Sequence, residues 1–320
     1  MATRLEIERR PLGASPLDAP RLMLGCGNFG GVGSAPEFFG KGQSEDEAFA
    51  VMDAAWELGI TWFDTADAYG GGRSEETIGR WCRSRGVRPE ITTKTYNPMS
   101  SGADRGLSPA RIERQLASSL ERLGADRVEL YLAHEFDPDV PLAETVGAFE
   151  ELVGRGAIGA YGVSNFDVRQ LERAAEAGRP ACVQNSYSLL DRADEREVLP
   201  LCAARPIAYV AFGPLAGGWL TGKYRRGAPF PAGSRMTQRP EPYRAFVRDE
   251  VFDALETLER MAAERGISMA GLALAWLLAE PRVTAAVVGP TRPDHLRPVR
   301  EALSHPLGAD ERDELSRVFA

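Results

Sequence analysis

Eight short apolar runs, each followed by a polar or helix-forming stretch, set the strongest limit on how this 320-residue chain can fold. The runs are Leu22–Cys26, 60–64, 90–94, Val128–Leu132, Ile158–Val163, 181–184, 207–212 and Thr284–Val288. Apart from 90–94 (Glu-Ile-Thr-Thr-Lys) they are almost continuously apolar, so both faces need cover, as in a parallel sheet flanked by helices. Helical patterns lie between them. Ser44 and Glu47 form a capping box ahead of a face built from Ala48, Met52, Ala55 and Leu58, and Gly59 ends it. Ser108 as cap and Pro109 in the first turn open a helix with the stripe Ile112, Leu116, Leu120 and Leu123. Further helices are expected from about Ser74, over 141–153 and 167–177, and over the strongly apolar Met269–Leu278.

Eight βα units at this length favour an α/β fold closed as a (β/α)8 TIM barrel over an open, doubly wound sheet. The open sheet would place G-x-G-x-x-G between the first strand and a helix. Gly25-x-Gly27 occurs, but a long loop follows it. Residues 3–12, ahead of Gly13, suit a short N-terminal hairpin cap. Residues 28–43 and 222–240 are too long and aperiodic to be mere links, and read as lids or binding loops. No composition shift divides the chain, so 1–320 is read as one domain.

A hydrophobic content of 43% allows a sizeable core. The net charge of −8 argues against nucleic acid or an anionic membrane as partner. No run approaches a membrane span, and the first residues lack the apolar stretch of a signal peptide. Cys26, Cys82, Cys182 and Cys202 are far apart without a C-x-x-C pair, which fits a reduced, cytoplasmic setting. His134, His295 and His305 have no ligand spacing to one another, so no metal site is expected.

The unusual polar residues fall where the runs end. Asp64 ends the second run and Lys94 the third; His134 lies just past the fourth; Ser164 and Asn165 follow the fifth; Gln184 and Asn185 end the sixth. Phe212-Gly213-Pro214 ends the seventh, and Gly289-Pro290-Thr291-Arg292 follows the eighth. In a barrel these ends form one face, the face that carries the active site. Tyr69 joins them from the loop after Asp64, just before three glycines that supply the positive φ angles of a tight turn.

Five blocks together resemble the aldo-keto reductase family over nearly the whole chain. They are Phe63-Asp64-Thr65-Ala66-Asp67-Ala68-Tyr69-Gly70, Thr93-Lys94, Gly162-Val163-Ser164-Asn165-Phe166, Gln184-Asn185-x-Tyr187-Ser188 and Gly217-Gly218-Trp219-Leu220-Thr221-Gly222-Lys223. The resemblance implies an NADPH-dependent oxidoreductase that reduces a small-molecule carbonyl by direct hydride transfer. It puts a catalytic tetrad on Asp64, Tyr69, Lys94 and His134. Cofactor contacts are expected from Ser164, Asn165, Gln184, Phe212, Gly213, Pro214, Leu215, Gly217, Lys223, Gly289, Thr291, Arg292 and His295. Phe29, Tyr96, Glu135 and Phe136 are expected around the substrate. The chain departs from the family at Phe212, where a tyrosine usually stacks on the nicotinamide; at Gly213, where a serine is common; and at His295 and Val299 near the adenine end.

A phenol is a poor acid near neutrality, with an ordinary pKa of about 10. Lys94 beside it is expected to lower that value, with Asp64 holding Lys94 charged and His134 orienting the carbonyl oxygen. Two other readings share these residues. A Schiff-base lyase would use Lys94 alone, and an NADPH-binding sensor or auxiliary subunit would use the cofactor blocks without turnover.

Overall fold

The computed structural model describes residues 4–320. An antiparallel hairpin, β1 (Arg9–Pro11) and β2 (Asp18–Pro20), precedes the main body. It lies later than the expected 3–12, and residue 3 falls outside the described residues. Eight strands then close a barrel: β3 (Leu22–Gly25), β4 (Trp62–Asp64), β5 (Glu90–Thr95), β6 (Val128–Ala133), β7 (Ile158–Ser164), β8 (Cys182–Ser186), β9 (Ala208–Phe212) and β10 (Val283–Val288). Neighbours pair in parallel throughout, and β10 joins β9 to β3 to complete the ring. The fold is the (β/α)8 barrel.

Around it run α1 (Glu45–Leu58), α2 (Arg73–Arg85), α3 (Pro109–Leu123), α4 (Leu142–Gly154), α5 (Val168–Ala177), α6 (Val198–Ala204), α7 (Arg235–Gln238), α8 (Asp249–Glu264), α9 (Met269–Leu278), α10 (Arg297–Ser304) and α11 (Ala309–Val318). The capping box at Ser44 and Glu47 forms as expected, and Asp167 with Gln170 makes a second one ahead of α5. Ser108 differs from expectation: its side chain caps nothing, and only its backbone carbonyl accepts from Arg111 and Ile112.

Successive strand residues point to opposite faces, and that period of two decides what reaches the barrel axis. Met23, Trp62, Leu130, Leu132, Ala160, Cys182, Ala208, Val210, Ala285 and Val287 fill the interior. Phe63, Tyr131, Val163, Val183, Tyr209 and Ala286 pack outward against the helices. Leu12 and Ala19 of the hairpin belong to the inner cluster and close the bottom of the barrel. Two residues past an inward position lies another inward position. Asp64 therefore follows Trp62, Gln184 follows Cys182 and Phe212 follows Val210, and all of them arrive at the open rim.

Candidate active site

Asp64, Lys94 and Gln184 meet at the top of the barrel, each almost wholly buried. Lys94 Nζ donates to Asp64 Oδ1 at 2.5 Å, to the Thr65 carbonyl at 2.8 Å and towards Tyr69 Oη at 3.5 Å. An ammonium has three protons, so these partners account for all of them. The second Asp64 oxygen accepts from Gln184 Nε2 at 2.7 Å. The carboxylate is thus held from both sides, which fixes the direction in which the lysine points.

Tyr69 arrives from the loop after β4. Its backbone N–H bonds the Ala66 carbonyl, and Gly70, Gly71 and Gly72 follow at φ of 60°, 68° and 95°. A Cβ on Gly70 would lie 2.8 Å from the Gly30 carbonyl oxygen, and one on Gly31 would lie 2.6 Å from Gly70 Cα, where the 28–43 loop crosses the Tyr69 turn. The half-buried Tyr69 ring meets the buried His134 ring edge-on, with centroids 5.5 Å apart. The four residues expected as a tetrad are therefore brought together.

Their electrostatics depart from expectation at one point. Burial raises the Tyr69 phenol above its ordinary value, and the pull of Lys94 in the other direction does not overcome it. Lowering the phenol's pKa needs more positive charge than the chain itself supplies. For Lys94, burial is the largest single influence and disfavours the charge, but Asp64 and Tyr69 together outweigh it and the ammonium is held above its ordinary range. Burial, then Lys94, pushes His134 far below its usual value, so the imidazole is neutral. Its Nδ1 is buried without a hydrogen-bond partner among the described residues.

Beside this cluster, Ser164 Oγ donates to the Gln184 carbonyl at 2.8 Å. Asn165 sits in the left-handed region at φ 59°, where asparagine is better tolerated than most residues. Its amide donates to the His134 carbonyl at 2.9 Å and lies 3.3 Å from Ser164 Oγ. Phe212, half-buried, ends β9 and packs against the inner cluster. Buried Pro214 and half-buried Leu215 follow it into a glycine-rich turn, with Gly213 and Gly217 at φ of 64° and 62°.

Further along, Lys223 and Arg235 are two cations with no carboxylate partner among the described residues. Arg235 Nη2 donates to Asn28 Oδ1 at 2.5 Å. Burial, then the neighbouring Arg235, lowers the Lys223 ammonium, and burial is likewise the main influence lowering Arg235. Two partly desolvated like charges side by side call for an anion between them. Arg235 was not foreseen. It opens the four-residue α7 inside the aperiodic 222–240 loop, where no periodicity or motif singles it out.

The adenine-end expectations divide. Thr291 and His295 bond each other, Oγ1 to Nδ1 at 3.2 Å, and Gln43 Nε2 donates to the Thr291 carbonyl at 3.1 Å, tying the 28–43 loop to this end. Exposed Gly289 lies at the end of β10. Arg292 is fully exposed and paired with Asp294 through two contacts of 3.0 and 2.7 Å. Of the residues expected around the substrate, Tyr96, Glu135 and Phe136 are half-buried near the rim, whereas Phe29 is wholly buried in the outer core. The loop over 97–107, which follows Tyr96, is pinned by buried Arg111, which donates to the Asn97 and Gly106 carbonyls at 2.8 and 3.0 Å.

Comparison with known proteins agrees with this arrangement. The model of the Aldo/keto reductase family matches residues 21–319. The uncharacterized oxidoreductase YrpG of Bacillus subtilis is 36% identical, the match covering 96% of this chain and 94% of that protein. Aldo-keto reductase yakc [NADP(+)] of Schizosaccharomyces pombe is 33% identical over 79% of this chain and 76% of its own. Among solved structures, the glycerol dehydrogenase AKR11B4 from Gluconobacter oxydans superposes with a TM-score of 0.82 at 27% identity, covering 96% of this chain and 94% of that one. With the closed barrel and the cluster at its rim, these matches establish that the chain belongs to the aldo/keto reductase family.

Proposed function

We propose that the protein reduces an aldehyde or ketone to an alcohol with NADPH, and that Tyr69 protonates the carbonyl oxygen. The observation that carries this reading is the convergence of Tyr69, Lys94, Asp64 and His134 around one point, with every Lys94 proton directed at a partner. The site also fits a dinucleotide. Ser164, Asn165 and Gln184 present amide and hydroxyl groups for a carboxamide, Phe212 offers a ring face at the rim, and Lys223 with Arg235 offers a pyrophosphate the charge it requires. When bound, the nicotinamide supplies the hydride.

The chain's own residues manage the proton. Burial keeps the Tyr69 phenol protonated near neutrality, so it is ready to donate. As its proton leaves, the Lys94 ammonium at 3.5 Å stabilises the phenolate, and Asp64 keeps that ammonium charged and aimed. Positioned acids of this kind contribute on the order of 10²–10⁴ in rate. Neutral His134, beside the phenol, donates a hydrogen bond to the substrate carbonyl oxygen and sets its angle. NADPH is favoured over NADH through Thr291 and Arg292, though the Asp294 partner of Arg292 weakens that preference. The similarity to a relative named for NADP(+) points the same way.

Measuring NADPH oxidation across aldehydes, quinones and keto-sugars tests the reading. Turnover with at least one class supports it. Tight NADPH binding with no turnover of any would favour the auxiliary-subunit alternative, and borohydride trapping of substrate on Lys94 would favour the lyase.

A further inference from the structure

Glu135 is a half-buried carboxyl at the end of β6, next to His134, and no cation pairs with it among the described residues. Its one hydrogen bond comes from Asn165 Nδ2, at 3.2 Å to Oε1. That nitrogen carries two protons but faces three acceptors: the His134 carbonyl at 2.9 Å, Glu135 at 3.2 Å and Ser164 Oγ at 3.3 Å. At most two can be served at once, so Glu135 shares even its single donor. Burial alone pushes the carboxyl up to about 7. The neighbouring charge is already placed elsewhere. Arg173 lies over the Phe136 face at 5.8 Å, Lys94 is spent on Asp64, Thr65 and Tyr69, and His134 is neutral.

A partly desolvated carboxyl with only one shared donor, beside the residue that orients the carbonyl, favours a substrate that brings donors with it. We propose that Glu135 determines specificity, accepting a hydrogen bond from a hydroxyl borne near the substrate carbonyl and disfavouring substrates with a negative charge there. The inference rests on the reductase reading above and extends it to a substrate class, the small hydroxy-aldehydes and hydroxy-ketones. A hydrogen bond to a charged group corresponds to roughly 10- to 100-fold in affinity. A site built to bond a hydroxyl also discriminates strongly against the analogue that lacks it, because its own polar group is left unpaired.

The test compares kcat/KM for glyceraldehyde, propanal and succinic semialdehyde in the unmodified enzyme, Glu135→Leu and Glu135→Gln. The unmodified enzyme is expected to prefer glyceraldehyde over propanal by at least about tenfold. In Glu135→Leu that ratio falls towards one through a rise in KM for glyceraldehyde. In Glu135→Gln, which keeps an acceptor but not the charge, part of the preference survives and succinic semialdehyde gains relative to propanal. A merely structural role would lower all three alike and leave the ratios in place, and that result overturns the proposal. So does an unmodified enzyme that turns over propanal and glyceraldehyde equally. Absence of turnover with every aldehyde overturns the reductase reading instead, and this assignment with it.

Discussion

Asp67, two residues before Tyr69, is wholly buried, and neither carboxylate oxygen has a hydrogen-bond partner among the described residues. Burial, reinforced by the Glu75 carboxylate and only partly opposed by the nearby Thr95 hydroxyl, Arg111 and the Ala68 backbone, pushes it from 3.8 to about 7. A rise of that size corresponds to roughly 4 kcal/mol against the ionised form. The folded value is the raised one, so stability is fully present below the unfolded value and is lost as pH rises towards 7. Asp67→Asn removes the titration while keeping the shape. Its stability gain over the unmodified protein should grow by about 1.4 kcal/mol per pH unit between about pH 5 and 7, then level off near 4 kcal/mol. Urea unfolding of both proteins at about pH 5, 6, 7 and 8 reads this directly. A difference that stays flat with pH, or a loss of stability at pH 8, would show that the carboxylate is compensated and refute the reasoning.

Lys94→Met strands the Asp64 carboxylate in the barrel interior, so unfolding should become easier by about 3–5 kcal/mol alongside loss of reduction; chemical denaturation and turnover of the same preparation check both. Adding Asp64→Asn to it should restore much of the stability and none of the activity. Lys223→Ala and Arg235→Ala should each weaken NADPH binding by roughly ten- to a hundredfold, measured by fluorescence titration, with little effect on thermal stability because each loses a like-charged neighbour. Because His134 is held neutral with its folded value far below 6.5, the stability it contributes is complete above that pH and is lost as pH falls below it. His134→Gln should therefore show a shallower loss of stability between about pH 6.5 and 5 than the unmodified protein.

The barrel was legible because its signal is redundant. Nearly every run is apolar on both faces, and a strand end displaced by one or two residues, as at Ala133, Ser164 and Ser186, leaves the topology unchanged. The rim residues were legible for the related reason that a charge such as Lys94 at the end of a buried strand has few places to go. Helices α6, α7, α8, α10 and α11 are not legible in the sequence, because their stretches interrupt or follow the regular alternation with little to mark their limits. Arg235 and the Arg292–Asp294 pair needed coordinates, since what a loop arginine touches depends on how the loop lies. Asp67 reads as turn construction in the sequence, and only its burial reveals a titrating group. For Tyr69, burial likewise reverses the direction expected from its lysine neighbour.

The central claim is that the Tyr69 hydroxyl delivers the proton while the rest of the site stays competent. Tyr69→Phe removes that one oxygen and keeps the ring against Gly27 and His134. Its NADPH binding and its rate of aldehyde reduction at saturating cofactor should be measured on the same sample. NADPH affinity is expected to stay within about threefold of the unmodified protein, and the rate to fall by on the order of 10²–10⁴. Undiminished reduction by Tyr69→Phe would contradict it.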